Sequence, residues 1–246
     1  MSTNAIYGFT NAIRQLYNII GVRNDCVKFI ACFDSSSKNH KRSEINPEYK
    51  SGRVMPEELK HQFDYCKNVC EALDIPVVIH DEYEADDIIA TFAKRYAEEE
   101  NVVIVTCDKD MFQLIDDNIS VYNIIKKTFI HEKQVIEKFG VHPKEMINFQ
   151  ALIGDKCDNI QGIKGIGPKS ANVIINAFKK DPGDYTKKEE KLMKKFNDNK
   201  EVYERNLQLV TLHTNVDIHV ELNPFEISSF KNTKYKNLVT PLGFRV

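Results

Sequence analysis

The sequence predicts an α/β fold, a three-layer domain on a mostly parallel sheet, followed by a helical region. Three observations carry that expectation. Strand-like apolar runs alternate with segments of helical period up to about Gly140, and only helical patterns follow. Asp34, and then Asp108 with Asp110, stand just past the carboxyl ends of two such runs, where open α/β sheets place functional groups. Glycines concentrate between two helical stretches, in Gly162-Ile163-Lys164-Gly165-Ile166-Gly167.

Taken in order, residues 3–20 carry Ile6, Phe9, Ile13, Leu16 and Ile20 at helical steps, with Thr3 as a cap. Residues 27–33 form a buried strand that ends at Asp34. Residues 35–60 are polar and basic without a regular period, and are expected to make an excursion above the sheet. Pro56 opens a helix that buries Leu59, Phe63, Cys66, Cys70 and Leu73, followed by a short strand over 75–79. A further helix starts inside Glu84-Ala85-Asp86-Asp87 and buries Ile88, Ile89 and Phe92. Residues 101–106 are a strand, after which Asp110 is placed to cap a short helix through Met111 and Leu114. Residues 120–130 suit short strands or a hairpin, and 131–139 and 143–152 read as helices. The tail over 224–246 is expected only to pack back on the domain.

With 246 residues, 42% of them apolar, the chain suffices for one large domain or two smaller ones. Six cysteines lack zinc-ribbon spacing and no secretory signal precedes them, so reduced, mostly buried thiols in a cytoplasmic protein are expected. No apolar stretch reaches the roughly 20 residues that span a bilayer, so no membrane role is expected. A net charge of −2 argues against a simple polycationic coat for nucleic acid. The charges are nevertheless segregated: residues 81–117 hold 12 acids against 3 Lys and Arg, whereas 160–200 hold 10 Lys against 5 acids. One region suits cations and the other an anion, although the lysines of 179–200 also suit a solvated helical face.

Three acidic clusters set the chemistry: Glu84-Ala85-Asp86-Asp87, Asp108-Lys109-Asp110, and Asp155 with Asp158. Carboxylates beside apolar segments need neutralising, and hard divalent cations such as Mg²⁺ or Mn²⁺ suit clustered oxygens. Helix capping is an equal alternative for 84–87, and Asx-turns a lesser one for 155–159. The glycine hairpin, with Pro168 at a first helical position, can turn the N–H groups near Gly165, Gly167 and Lys169 towards a phosphate. It is neither a Walker loop, since Pro168 stands where lysine belongs, nor a dinucleotide fingerprint, since Ser170 replaces the third glycine. A hairpin that holds a nucleic-acid backbone without reading bases fits better. The residues by themselves therefore indicate a metal-dependent nuclease.

These motifs resemble the 5′-nuclease family, which includes phage 5′-3′ exonucleases, flap endonucleases and the N-terminal domain of bacterial DNA polymerase I. The resemblance runs from about Thr3 to Asp217 through Phe33-Asp34, Tyr49-Lys50-Ser51-Gly52-Arg53, the three acidic clusters and Gly165-Ile166-Gly167-Pro168-Lys169. It implies a PIN-like metal-binding core over 1–140 with a helical arch at about 35–60, a helix-hairpin-helix subdomain over 141–215, and a C-terminal segment over 216–246. It also implies Asp34, Glu84, Asp86 and Asp87 at a first metal site, and Asp108, Asp110, Asp155 and Asp158 at a second. Lys50, Arg42 and Arg53 match cations that hold the scissile phosphate. Lys164, Gly165, Gly167, Lys169 and Ser170 match the DNA-binding hairpin, whose carbonyls at Gln161, Ile163 and Ile166 would also bind K⁺.

The activity implied is two-metal hydrolysis of DNA at 5′ flaps, nicks or branches by a monomer acting in replication and repair. The family's first strand and its aspartate have no counterpart ahead of Thr3. Two expectations follow: an N-terminally incomplete nuclease, or a DNA-binding protein of the same fold that cuts weakly or not at all. A small-nucleotide phosphoesterase is a more distant alternative.

Overall fold

The computed structural model describes residues 4–20, 27–35, 41–52 and 56–244. In chain order its elements are α1 (Asn4–Ile20), β1 (Ala31–Cys32), α2 (Lys41–Ile45), α3 (Glu57–Ala72), β2 (Val77–Val78), α4 (Ala85–Tyr96), β3 (Val102–Val105), a 3-10 turn (Lys109–Leu114), β4 (Ile119–Asn123), β5 (Thr128–Ile130), α5 (Glu132–Phe139), α6 (Met146–Ile153), β6 (Gly154–Asp155), β7 (Ile160–Gln161), α7 (Pro168–Ala177), α8 (Lys187–Asn197), α9 (Lys200–Val210) and α10 (Thr233–Val239). They form two compact units, one of residues 1–35, 53–80 and 217–246, the other of 36–52 and 81–216. The units thus cut across the sequence-expected boundary at 140.

In the first unit, Ile6 and Ile13 of α1 join Cys66, Val69, Cys70 and Leu73 in one core, to which Phe225, Phe230, Tyr235 and Val239 of the tail belong. The expected helix over 56–73 is present, but its inner face is turned from the predicted one. Gln62 is buried and Phe63 is 38% exposed, because the Gln62 amide oxygen accepts from Ala5 N at 2.8 Å and so serves a first-turn N–H of α1. The predicted cap Thr3 lies outside the described residues. Asn232 works at both ends of its contacts: its Oδ1 accepts from Tyr235 N at 2.7 Å to open α10, and its Nδ2 donates to the Ala72 carbonyl at 2.7 Å where α3 closes.

The strand expected over 27–33 is shorter than its apolar run. Only Ala31 and Cys32 pair in parallel with Val77 and Val78, while Lys28 bridges to Pro224 and Val27 accepts from Phe225 N. The tail therefore takes backbone groups that a longer β1 would have used.

In the second unit β3 runs parallel to β4 in the register Val102↔Ile119 to Val105↔Tyr122, and β5 returns antiparallel on β4. The fold is helix-rich, and its described strands form small separate sheets instead of one wide sheet. Met111, Ile119, Val121, Met146, Phe149, Leu152, Ile174 and Leu209 share the core on which α6, α7 and α9 pack. The last helix of this unit is α9, which ends at Val210. The chain beyond it is pinned to α4, where Thr91 Oγ1 donates to the His213 carbonyl and accepts from Val216 N.

Candidate nuclease site

The second unit draws the three acidic clusters together through two ammonium groups and one phenol. At the start of α4, Glu84 is buried and receives Lys50 Nζ at 2.8 Å on Oε1 and Tyr49 Oη at 3.0 Å on Oε2. The same two residues reach Asp158, Tyr49 Oη donating at 3.3 Å and Lys50 Nζ lying 4.0 Å away. Lys50 N also donates to the Asp158 carbonyl at 3.0 Å, and Lys50 has a left-handed φ of 52°. A non-glycine residue in that region stores backbone strain, and such strain collects where a side chain must be aimed. Here it aims an ammonium between two carboxylates that are 74 residues apart in sequence.

The second bridge is Lys109, whose ammonium meets Asp155 and lies 3.4 Å from Asp110 Oδ1. Asp108, not Asp110, caps the 3-10 turn, accepting from Asp110 N at 3.0 Å. That cap frees the Asp110 carboxylate to turn inward, where the fully buried Gln150 donates to it at 2.5 Å. Gln150 Oε1 has no protein partner among the described residues. Asp155 lies on β6 and is held by Cys157 N at 2.8 Å as well as by Lys109.

Burial is the main influence on every shifted group of the site; for Asp110 and Tyr49 it sets the direction, and for Asp155, Lys50 and Lys109 bound partners overturn it. For Asp110 burial and then the Asp108 charge both disfavour ionisation, and its carboxyl is pushed up to about 6. Burial alone would raise Asp155, but hydrogen bonding from Lys109 and Cys157 N holds it below its ordinary value. Burial would likewise lower Lys50 and Lys109, and their carboxylate partners hold both above. Tyr49 is driven far up by burial and by Glu84 and Asp158, so it remains a neutral donor.

Arg42 departs from the exposed, phosphate-holding cation expected of an arch. It is 3% exposed and forks onto Asp87 with Nη1–Oδ2 at 2.6 Å and Nη2–Oδ1 at 2.7 Å. Its remaining donors go to the carbonyls of Leu209 at 2.8 Å and Thr211 at 2.9 Å, and to Glu84 Oε2 at 3.2 Å. Asp87 is fully buried and also accepts from His213 N and Glu84 N. All donors of this guanidinium face protein acceptors, so the pair is a clamp that ties α2, α4 and the end of α9 together.

Asp86 is half-buried and adds its charge beside Lys50. Asp34 belongs to the first unit and is exposed, and Arg53 lies outside the described residues. Among the described residues no three His, Cys, Asp or Glu side chains converge as a ready metal site, since the ammonium groups stand between them. The donor set still suits a hard cation: it consists of carboxylate oxygens, one of them with a raised pKa, beside an orphaned buried amide oxygen.

From Asp155 the chain turns into the glycine hairpin. β6 and β7 pair antiparallel, and the backbones of Gly154 and Gly162 approach so closely that a Cβ on either would collide with main chain. Asn206, fully buried, fastens this turn by donating to the carbonyls of Ala151 at 2.9 Å and Gln161 at 2.8 Å. Lys164, Gly165, Gly167 and Lys169 are exposed and Ser170 is half-buried. The Gln161 carbonyl is taken by Asn206 and Arg205 and that of Ile163 by Ile166 N, so the potassium assignment rests on the resemblance alone.

Comparison with known proteins gives the family. Residues 1–140 match the 5′-3′ exonuclease N-terminal resolvase-like domain, and residues 141–233 match the 5′-3′ exonuclease C-terminal SAM fold. The chain belongs to the 5′-3′ exonuclease family. It is 35% identical to a 5′-3′ exonuclease of Aquifex aeolicus over 99% of this chain and 83% of that one. It is 40% identical to a 5′-3′ exonuclease of Buchnera aphidicola over 72% of this chain and 61% of that one. Among solved structures, the T5 D15 protein co-crystallised with metal ions superposes with a TM-score of 0.71 at 25% identity, covering 98% of this chain and 92% of that one. A D155K form of the T5 D15 flap endonuclease, in a pseudo-enzyme-product complex with DNA and metal ions, gives 0.69 at 25% identity over 98% and 90%.

The acidic clusters and Lys50 are legible in the sequence, whereas Tyr49 and Lys109, which join the clusters with it, are not. Tyr49 and Lys109 lie inside quoted motifs, yet their partners are long-range and no spacing announces them. Gln150 and Asn206 read as ordinary polar positions on apolar helices, and a polar residue on an otherwise buried helical stripe was the available signal.

Proposed function

We propose that this chain is a divalent-metal-dependent 5′-3′ exonuclease and flap endonuclease that hydrolyses phosphodiester bonds in DNA. The observation that carries the reading is the joining of Glu84, Asp158, Asp155, Asp110 and Asp108 into one patch through Tyr49, Lys50 and Lys109. With Asp86 and Asp87 included, that patch holds seven carboxylates against the cations Arg42, Lys50 and Lys109. Two divalent ions would cancel the excess of four negative charges. T5 D15, a structural neighbour, carries metal ions in one structure and DNA with metal ions in another.

In this reading Glu84, Asp86 and Asp158 hold one ion and Asp108, Asp110 and Asp155 the other, Asp158 being moved from the second site of the resemblance to the first because Tyr49 and Lys50 bridge it to Glu84. Bound there, the ions would lower the pKa of a water and stabilise the attacking and leaving oxygens. Lys50 then exchanges its carboxylate partners for the scissile phosphate, a move within reach of a flexible ammonium. The Arg42 and Asp87 clamp positions α4, and with it Glu84 and Asp86, without touching the substrate. Lys164, Lys169, Ser170 and the main chain of Gly165 and Gly167 hold the duplex backbone.

The test is Mg²⁺-dependent release of short products from a 5′-labelled flap by the wild type, Asp108→Asn and Asp155→Asn. Loss of cleavage with retained DNA binding is expected in both variants. Undiminished cleavage by either, or cleavage in excess chelator, would refute the assignment. One observation favours a second reading, binding with little cutting: Lys50 and Lys109 already neutralise the carboxylates that would take the ions. That reading predicts tight flap binding and no product in Mg²⁺ or Mn²⁺.

A further inference from the structure

The lysines of α8 form a stripe that runs into the glycine hairpin. At 3.6 residues per turn Lys187, Lys188, Lys191, Lys194 and Lys195 fall within about 120° of one face. The opposite face is anchored: Phe196 is 6% exposed and packs edge-on to Phe178 at 5.0 Å and Tyr203 at 5.1 Å between centroids. The lysine face is therefore turned out by core packing. Of the acids on this helix, Glu189 is withdrawn by Lys180 at 2.7 Å and by the Thr186 cap, and Glu190 borders the stripe. None of the five ammonium groups is ion-paired among the described residues.

Lys195 makes the connection. It is half-buried, and its ammonium fills the space in which a Cβ on Gly165 would stand, over a residue whose φ of +75° already demands glycine. An unpaired, partly desolvated ammonium is thus held against the turn whose N–H groups at Gly165, Gly167 and Lys169 donate to no protein acceptor among the described residues. A positive charge in that position calls for an anion, and a stripe of five calls for a polyanion. From Lys187 to Lys195 the helix rises about 12 Å, a length over which duplex DNA carries roughly seven phosphates.

We propose that the lysine face of α8 is a second seat for duplex phosphates, continuous with the hairpin through Lys195. The proposal rests on the hairpin holding a nucleic-acid backbone, and extends the footprint along a helix whose lysines suit either an anion or a solvated face by sequence alone.

The experiment measures binding of flap substrates with a long duplex arm of about 24 base pairs and a short one of about 8, across a salt series. The proteins are wild type, Lys169→Ala, Lys195→Ala and a quadruple Lys187→Ala, Lys188→Ala, Lys191→Ala, Lys194→Ala variant. On the long arm the quadruple variant is expected to flatten the slope of log K against log salt by about 3, and Lys195→Ala by about 1. At 0.1 M salt each lost contact lowers affinity about five- to tenfold. On the short arm the quadruple variant should stay within about twofold of wild type while Lys169→Ala and Lys195→Ala still weaken binding.

Wild-type affinity of the quadruple variant for the long arm, or an equal loss on both arms, would overturn the proposal. So would retained DNA binding together with lost binding of polyglutamate, which would mark the stripe as a seat for acidic protein. If Lys169→Ala binds as wild type while the quadruple variant does not, the hairpin reading fails, and with it the claim of a footprint continuous from hairpin to α8.

Discussion

Removing Asp87 tests how much of the second unit hangs on one buried ion pair. Asp87→Ala leaves the Arg42 guanidinium, 3% exposed, without its two shortest hydrogen bonds and strands the N–H groups of His213 and Glu84. Breaking a buried pair from one side costs about 3–5 kcal/mol, and each stranded donor adds to that about 1–3 kcal/mol where water does not reach it. Since some of these losses overlap, about 4–6 kcal/mol is expected, a large share of the 5–15 kcal/mol typical of a domain.

The partner substitution Arg42→Met should cost less than Asp87→Ala. Combined with Asp87→Leu it should recover part of the loss, because an apolar pair of similar volume leaves no uncompensated charge. The coupling in the cycle closed by Asp87→Leu, Arg42→Met and the two together is expected at about 2–4 kcal/mol, read from urea unfolding by circular dichroism at constant m-value. The pH dependence has a definite sign. Burial disfavours the Asp87 charge, yet Arg42 holds its carboxyl below the ordinary 3.8, so the pair's contribution is complete above that value and lost as pH falls below it. A cost under about 1 kcal/mol for Asp87→Ala, or an additive cycle, would refute the account of Arg42 as a clamp.

Asp110→Asn should stabilise the metal-free protein while abolishing cleavage. With its carboxyl pushed up to about 6 from 3.8, Asp110 contributes stability that is present below its ordinary value and lost as pH rises through 6. In chelator the variant should therefore match wild type near pH 4 and exceed it by about 1–3 kcal/mol at pH 7, and a pH-independent difference in Tm would count against this. Lys109→Met removes the ammonium that competes for Asp155 and Asp110, and calorimetry should show several-fold tighter Mg²⁺ binding; unchanged or weaker binding would show that Lys109 is no competitor. Gly154→Ala, at a φ of +75° and facing the Gly162 backbone, should cost more than about 2 kcal/mol. Gly167→Ala, with open space at its Cβ, should keep its Tm and weaken duplex binding.

What the sequence disclosed follows from the range of the forces involved. Local patterns were legible: the helices of 85–96, 132–139 and 168–177, the strand at 102–105 and the hairpin of 119–130 all appear where periodicity and turn residues put them. Acid clusters were legible because carboxylates beside Ile88 or Val105 are costly without a use. Arg42 was not, since it lies in a polar stretch with no period and its burial is decided by carbonyls more than 160 residues away. The thiols divide for the same reason. Cys66 and Cys70 sit at core spacing on α3 and are buried as expected, whereas Cys107 and Cys157 follow strand ends beside the clusters and are exposed, against the expectation of mostly buried cysteines. Phe63 was misplaced because helical spacing alone cannot say which of two adjacent stripes a hydrogen bond such as Gln62 to Ala5 will pull inward.

The short ladder of β6 and β7 bears on where a strand would be cut. Asp155 stands on one rung and pairs with Ile160 on the other, five residues from Gly165. Four residues therefore separate Ile160, and Asp155 across from it, from Gly165, and close approach of Gly154 and Gly162 leaves them no slack. In the proposed function the backbone here acts as a ruler: one residue inserted between Ile160 and Gly165 would shift the incision along the strand by a step instead of merely slowing it.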